Sequence, residues 1–204
     1  PDSQAQDDFR RTKGSFDNAV AGIRKAKSLG LETRINCVVS ALNLTRLPEM
    51  AELAKGLGVK VTVMPVMTGF SPIRKSVRET NKGIDSIAVE IDDYLRAIQA
   101  IDKNILATPL FFAKMLAGDR RWCKATYTVL NVQPDGSLIA PCEVKSMKSF
   151  RGDIKKTYRS KEYRSYGKKD GCYSFCEGCY SYCSLMPSAL TNPLHLVRFA
   201  FQNL

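Results

Sequence analysis

Apolar residues in the first half of the chain recur at helical spacing and alternate with short runs of β-branched residues. The helical spacing covers residues 16–29 and returns at 48–57 and 84–101. Between these segments, residues 33–40 and 59–64 are rich in valine, isoleucine and threonine, which favour extended strands. Helices that alternate with short strands are typical of parallel βα units, so the pattern predicts an α/β fold.

The ends of these helices carry residues that commonly begin or stop a helix. Ser15 is predicted to be an N-cap and Pro48 a first helical residue, whereas Gly30 and Gly58 follow the last apolar positions. Two parallel strands alone do not form a stable sheet, because parallel sheets bury both faces and need further neighbours. We therefore expect the first half to be the later part of a larger sheet or barrel whose first strands lie outside this sequence.

The pattern changes near residue 119, after which a β-hairpin is predicted. Residues 127–132 and 137–140 are the two predicted strands. Pro134-Asp135-Gly136 between them favours a tight turn, because proline presets φ and glycine accepts a positive φ.

The rest of the second half is basic and then helical. Residues 145–169 carry many lysines and arginines with little apolar periodicity, and a last helix is predicted to start at Pro193 with Asn192 as its cap. The expected domains are βα units over residues 1–118 and a smaller, cysteine-rich region over 119–204.

Composition and charge narrow the class of protein. The chain has 204 residues, 44% hydrophobic and 25% charged, which is the composition of a globular protein and excludes disorder, collagen and coiled coil. No apolar run reaches the roughly 18 residues of a membrane span, and no secretory signal is visible, so a cytoplasmic location is expected. The net charge of +11 suits nucleic acid, anionic lipid or an acidic partner, but a solvated basic surface is the simpler interpretation.

Cysteine is the most informative residue type in this chain. There are seven cysteines, and Cys37 stands alone in a predicted strand, where a buried, unreactive thiol is expected. The other six follow residue 122: Cys123, Cys142, Cys172, Cys176, Cys179 and Cys183. Without a secretory signal a disulfide framework is disfavoured, so these six indicate a metal ion or an iron–sulfur centre.

Four of these cysteines are crowded into residues 172–183 with the spacing Cys-x3-Cys-x2-Cys-x3-Cys. Thiolates this close repel one another unless a cation collects them, as a tetrahedral zinc ion or an iron–sulfur cluster does. Zinc ribbons more often show two Cys-x2-Cys pairs, and this chain has one, so an iron–sulfur cluster is favoured over zinc.

A series of short motifs runs through the second half, in this order: Cys123, Pro134-Asp135-Gly136, Pro141-Cys142, Arg151-Gly152-Asp153-Ile154 and the cysteines of residues 172–183. This order resembles the auxiliary-cluster region of radical S-adenosylmethionine (radical SAM) enzymes of the SPASM or twitch type. In the first half, residues 7–16 resemble the segment after the fourth strand of the family's partial TIM-like barrel. Residues 37–43 and 59–65 resemble its fifth and sixth strands.

The resemblance implies the C-terminal βα units of a partial barrel, followed by a small auxiliary-cluster domain with a β-hairpin and helices. It implies one auxiliary [4Fe–4S] cluster with four thiolate ligands: Cys123, Cys142, Cys176 and Cys179. Cys172 and Cys183 would either exchange into this set or help to bind a second cluster. The late spacing departs from a full SPASM domain, which has seven cysteines and holds two clusters.

The complete enzyme would bind S-adenosyl-L-methionine (SAM) at a further [4Fe–4S] cluster. Cys172-x3-Cys176-x2-Cys179 has the spacing of the catalytic motif, but in the family that motif precedes most of the barrel, so the true triplet is expected upstream of this sequence. The resemblance also implies SAM contacts for Arg10, Asn43 and Met67. A solvated charge, a turn cap and core packing are the respective alternatives.

The implied reaction is cleavage of SAM to a 5′-deoxyadenosyl radical, which abstracts hydrogen from a small-molecule or peptide substrate. A reductant protein such as ferredoxin or flavodoxin would supply the electron. The alternative is a zinc-binding module, not an enzyme, that binds nucleic acid through residues 145–169, with tyrosines for base stacking. A radical SAM enzyme that modifies RNA would combine both features.

Because the catalytic triplet is expected upstream, the isolated 204-residue chain should not cleave SAM. After anaerobic reconstitution with iron and sulfide, and with a chemical reductant present, we expect no 5′-deoxyadenosine above a protein-free control in chromatography with mass detection. Formation of 5′-deoxyadenosine in proportion to the amount of chain would instead place the catalytic motif at residues 172–179.

Overall fold

A computed structural model describes residues 3–66, 88–118, 120–142, 148–176 and 179–202. Its helices are α1 (Ser3–Arg10), α2 (Ser15–Ser28), α3 (Leu47–Leu57), α4 (Ile91–Gln99), α5 (Leu110–Met115), α6 (Ala125–Thr128), α7 (Ile154–Arg159), α8 (Lys161–Gly167), α9 (Tyr182–Ala189) and α10 (Pro193–Gln202). Its strands are β1 (Arg34–Val39), β2 (Lys60–Pro65), β3 (Leu138–Ala140) and β4 (Lys148–Phe150). Within these ranges, every helix is too short or too polar to cross a lipid bilayer.

A parallel sheet is the centre of the first half. β1 and β2 pair in parallel along their whole length, with Cys37 opposite Val63, which confirms both predicted strands. A third segment lies beside β2, because the Val61 N–H donates to the Ile105 carbonyl (2.8 Å) and the Ala107 N–H donates to the Val61 carbonyl (2.7 Å). This third parallel segment was not predicted from the sequence.

The side chain of Thr108 continues this hydrogen-bond ladder where the third segment ends. Its hydroxyl accepts the Val63 N–H (2.8 Å) and donates to the Val63 carbonyl (3.0 Å). The Tyr94 hydroxyl of α4 also donates to the Val63 carbonyl (2.9 Å). Thr108 and Tyr94 are both buried, so these bonds satisfy strand groups that water does not reach.

The ends of α2 and α3 follow the predicted signals with one difference. Gly58 ends α3 in the left-handed conformation (φ 62°), and Pro48 lies in the first turn, as predicted. α2 begins at Ser15 itself, so Ser15 is not its N-cap. The Asp7 carboxylate of α1 takes over the capping role, accepting the Gly14 N–H (2.5 Å) and the Ser15 hydroxyl (2.9 Å).

The helix predicted over residues 84–101 is shorter in the structure. α4 starts only after residues 88–90, which have no helical structure. Its buried residues are Tyr94 and Ile98, which pack within the same core as the sheet. The part of the prediction that covers residues 84–87 lies outside the described residues.

A small antiparallel sheet is the centre of the second half. β3 pairs with β4 and, on its other side, with residues 131–133 across the predicted turn at Pro134-Asp135-Gly136. Gly136 has a φ of 77° in this turn, which glycine adopts without strain. The prediction of a strand over residues 127–132 is wrong at its start, because α6 forms a helical turn there.

The basic stretch, which has little apolar periodicity, contains α7 and α8. Each helix begins at a side-chain cap, because Asp153 accepts the Lys156 N–H (2.6 Å) and Ser160 accepts the Tyr163 N–H (3.1 Å). The apolar contacts of these helices come from aromatic rings that pack around β3 and β4: Tyr158, Tyr163 and Tyr166. The described lysines and arginines from residue 151 to 169 are exposed.

One hydrophobic core includes residues of both halves. It contains Val63 of the sheet, Phe112 of α5, Cys123 before α6 and Leu185 of α9. Buried side chains from both sides of residue 118 belong to the same cluster. The division into two domains expected there stays a prediction.

Replacing Thr108 should destabilise the fold more than removing the Tyr94 hydroxyl. Thr108→Val leaves the buried Val63 N–H without its acceptor and should cost about 1–3 kcal/mol, whereas Tyr94→Phe leaves the Val63 carbonyl bonded to Thr108 and should cost about 0.5–1.5 kcal/mol. Urea unfolding of the two variants beside the wild type measures both free energies. A larger loss for Tyr94→Phe would contradict this account of the sheet edge.

Candidate functional site

A cavity in the second half is lined by four of the seven cysteines. They come from three separate segments of the chain: Cys123, Cys142, Cys176 and Cys179. The cavity is small, with a volume of about 20 Å³, which is enough for about one water molecule. Arg120 and Asp170 also line it. The structure thus brings together the four thiols that the family resemblance assigns to one cluster.

The first two cysteines are positioned by the short elements beside them. Cys123 is buried in a turn before α6, where its N–H donates to the Arg120 carbonyl (2.8 Å). Its sulfur lies 4.0 Å from the Ser188 hydroxyl of α9. Cys142 follows β3 and Pro141, so the end of the strand places it at the cavity wall.

The other two cysteines lie in the turns that precede α9. Cys176 ends a short 3-10 turn, and the Cys179 N–H donates to the Cys176 carbonyl (3.2 Å). At Gly171 the chain lies directly against the backbone of Arg120, because a β-carbon there would lie 1.7 Å from the Arg120 carbonyl oxygen. Gly171 also has a φ of 78°, so glycine is required at this position on both counts.

A buried guanidinium forms one side of the cavity. Arg120 is only 6% exposed. Its N–H groups donate to the backbone carbonyls of four residues: Leu116 (2.8 Å), Cys179 (2.9 Å), Met115 (3.3 Å) and Gly118. The guanidinium carbon lies 5.5 Å from the centre of the Tyr180 ring. Burial lowers the pKa of Arg120, and the nearby Cys179 and Tyr180 side chains oppose that shift.

A buried carboxyl group links the segments that carry the cysteines. The Asp170 oxygens lie 2.8 Å from the Thr126 nitrogen and 2.8 Å from the Thr126 hydroxyl, which itself lies 2.5 Å from the Pro141 carbonyl oxygen. The hydroxyl has one proton and the carbonyl can only accept, so a protonated Asp170 that donates to Thr126 satisfies all three groups. Burial is the largest influence and raises the pKa of Asp170 to about 6, against the bonds from Thr126.

Burial and backbone N–H groups have opposite effects on the pKa values of two cavity thiols, Cys123 and Cys176. Burial raises the pKa of Cys123 to about 12 and raises that of Cys176 as well. The N–H groups of Ala125, at Cys123, and of Tyr173, at Cys176, favour the thiolate and oppose this shift. A metal centre that binds these sulfurs would therefore release protons. Four sulfur donors, two of them with N–H groups directed at them, are a chemically suitable set for an iron–sulfur cluster.

The remaining cysteines do not line this cavity. Cys172 and Cys183 are exposed and do not line it. Cys37 is buried in β1, and burial raises the pKa of its thiol to about 11, in line with the expected unreactive thiol. In the part of the chain that the structure describes, no group of three or more His, Cys, Asp or Glu side chains, the four cavity cysteines included, is arranged so as to hold a metal ion.

The residues implied as SAM contacts do not line this cavity either. Arg10 is the exposed last residue of α1. Asn43 closes the turn after β1, where its side chain accepts the Ser40 N–H (2.8 Å) and donates to the Val38 carbonyl (3.0 Å), which matches the turn-cap alternative. Met67 lies outside the described residues.

Three residues that shape the cavity were not predicted: Arg120, Thr126 and Asp170. Their residue types are usually exposed, and the chain contains 31 lysines and arginines and 20 acidic residues. Nothing in the sequence distinguishes the few that are buried. Gly171, next to Asp170, is a local feature that fits the close backbone approach there.

Comparison with known proteins gives a partial similarity. No protein-family model matches the chain, and no solved structure matches it. A stretch of 69 residues is 38% identical to the GTP 3',8-cyclase of Rhodopseudomonas palustris (strain TIE-1), a radical SAM enzyme. The similarity supports a radical SAM relationship. The aligned stretch covers 32% of this chain and only 20% of that enzyme. The SPASM or twitch type stays a prediction.

Replacing Asp170 with asparagine should stabilise the protein at neutral pH. The folded pKa of about 6 lies above the ordinary 3.8, so the folded state holds the extra proton between these values, and stability falls as pH rises from about 4 to 6. An asparagine side chain would be neutral and able to make the same bonds, so Asp170→Asn should be more stable above pH 6 by roughly 3 kcal/mol, at about 1.4 kcal/mol per pKa unit.

Denaturant unfolding of the reduced wild type and of Asp170→Asn across pH 4 to 7 measures this difference. We expect the two proteins to be equally stable near pH 4 and to diverge as pH rises. A difference that stays constant across this range would show that Asp170 is already ionised in the folded protein.

Proposed function

We propose that this chain carries an auxiliary [4Fe–4S] cluster of a radical SAM enzyme, with four thiolate ligands: Cys123, Cys142, Cys176 and Cys179. The observation that carries the proposal is that these four, from three segments of the chain, line one cavity. The partial similarity to GTP 3',8-cyclase supports the radical SAM part. The proposal requires the four side chains to turn towards a common centre.

The remaining cavity wall suits a cluster that is shielded from water. Phe175 and Leu185 are buried and line the same space as the thiols. The Tyr173 ring stacks on Phe175 with 4.7 Å between ring centres. Apolar groups that limit water access, together with N–H groups directed at sulfur, are the means by which proteins tune iron–sulfur centres.

A bound cluster would supply one-electron redox chemistry at this site. The chain's own residues would hold the cluster. The cysteines would provide thiolates, and the bonds between Asp170, Thr126 and the Pro141 carbonyl hold the ligand-bearing segments together. Cleavage of SAM and hydrogen abstraction from a small-molecule or peptide substrate are proposed for the whole enzyme, with ferredoxin or flavodoxin as the electron source.

The first half is proposed to contribute βα units to a larger partial barrel. The parallel order of β1, β2 and residues 105–107 supports this proposal. Helices α3 and α4 pack their buried faces in the same core as this sheet. Such an arrangement is the repeating unit of parallel α/β folds.

The alternative of a zinc module that binds nucleic acid has less support. Tyr163 is buried, so its ring is not available for base stacking, and the predicted use of tyrosine for stacking is wrong for this residue. Tyr158 and Tyr166 are half-buried, and for them it stays a prediction. The exposed lysines and arginines of residues 151–169 would give only phosphate contacts that weaken with salt.

Serine substitution of the cysteines, one at a time, tests the proposed ligand set. The chain, purified and reconstituted without oxygen, should be brown and contain iron and sulfide in equal amounts. Four single variants should each lose most of the iron, because each removes one ligand: Cys123→Ser, Cys142→Ser, Cys176→Ser and Cys179→Ser.

The matched controls are Cys172→Ser, Cys183→Ser and Cys37→Ser, which should keep the iron content and visible absorbance of the wild type. Loss of iron in Cys172→Ser or Cys183→Ser, with retention in Cys123→Ser and Cys142→Ser, would contradict the ligand assignment. A colourless wild-type chain that contains zinc would favour the zinc module.

A further inference from the structure

A buried positive charge lies beside the cavity, and the proposed function gives it no role. We infer that the buried positive charge of Arg120 raises the reduction potential of the cluster held by the four cavity cysteines. This inference rests on the proposed function, because it concerns the same site.

Hydrogen bonds fix the guanidinium in place without neutralising it. Nε donates to the Cys179 carbonyl (2.9 Å) and Nη2 donates to the Leu116 carbonyl (2.8 Å). Carbonyl oxygens are neutral acceptors, and arginine is always protonated in proteins, so the group keeps its full charge. Only 6% of Arg120 is exposed, so solvent and salt screen little of that charge.

The guanidinium lies near three of the four cavity cysteines. The bond to the Cys179 carbonyl places the guanidinium beside one cavity cysteine, and Cys123 and Cys176 are close enough to act on it electrostatically. Cys123 is also tied to the same residue through its N–H, which donates to the Arg120 carbonyl (2.8 Å). Any negative charge gathered by these thiols therefore lies within the field of Arg120.

An unscreened positive charge favours the state that contains one more electron. The potential of an iron–sulfur centre depends on its net charge, its hydrogen bonds and its exposure to solvent. The reduced form is more negative than the oxidised form by one charge, so Arg120 stabilises the reduced form more. Removing the charge should shift the potential to a more negative value.

Potentiometric titration of the reconstituted full chain, followed by the EPR signal of the reduced cluster, measures this shift. Arg120→Gln removes the charge, Arg120→Lys keeps it, and Arg121→Gln removes an exposed arginine next to it as the matched control. At the potential where half of the wild-type clusters are reduced, only about a tenth should be reduced in Arg120→Gln, which is roughly a tenfold change in the equilibrium constant. Arg120→Lys and Arg121→Gln should stay near one half.

A second pair of variants leaves Arg120 and its hydrogen bonds in place. Tyr180→Glu puts a carboxylate beside the guanidinium, whose carbon lies 5.5 Å from the Tyr180 ring centre, and should lower the potential as Arg120→Gln does. Tyr180→Gln, the uncharged control, should not. If Arg120→Gln fails to fold or to bind iron, this pair decides the question.

Equal potentials in the charged and uncharged variants would overturn the inference, because a merely structural Arg120 affects stability but not the potential. A shift of the same size in Arg121→Gln would overturn it too. A wild-type chain that shows no iron–sulfur EPR signal would mean instead that the proposed function has failed, which is a distinct result.

Discussion

A short chain of buried hydrogen bonds holds together the segments that carry the cavity cysteines. Asp170 bonds to Thr126, and the Thr126 hydroxyl bonds to the Pro141 carbonyl. Cys123 lies just before Thr126, and Cys142 directly follows Pro141. Removing one partner of a buried polar pair leaves the other unsatisfied, at a cost of about 1–3 kcal/mol. This linkage therefore fixes the spacing of the segments before any ligand is bound.

The cavity contains a thiol that burial keeps neutral beside a guanidinium that stays charged. Burial raises the pKa of Cys123 to about 12, which favours its protonated form, whereas Arg120 keeps its positive charge. A buried charge without an opposite charge nearby is costly. Thiolates gathered on an iron–sulfur cluster would provide that opposite charge. The electrostatics of the cavity and the count of its cysteines thus favour the same kind of ligand.

Local sequence signals were sufficient where the residue types of a segment favour one kind of element. β1 and β2 could be predicted from their β-branched residues, whereas residues 105–107 could not, because their pairing with β2 depends on tertiary contacts. Residues 127–128 were predicted as strand because tyrosine and threonine favour strands by type. They belong instead to the helical turn α6, which bonds from Thr126 to the distant Asp170 hold in place. That four of the cysteines line one cavity was expected from family motifs, but burial of Asp170 was not, because residue type does not reveal it.

The central claim is that four thiols from three chain segments enclose one multi-iron centre. X-ray absorption at the iron edge, on the chain purified without oxygen, tests this claim most directly because it reports the atoms around each iron. The account predicts a sulfur shell together with scattering from neighbouring iron atoms. A single iron or zinc ion with sulfur ligands and no metal neighbour, or no bound metal at all, would contradict it.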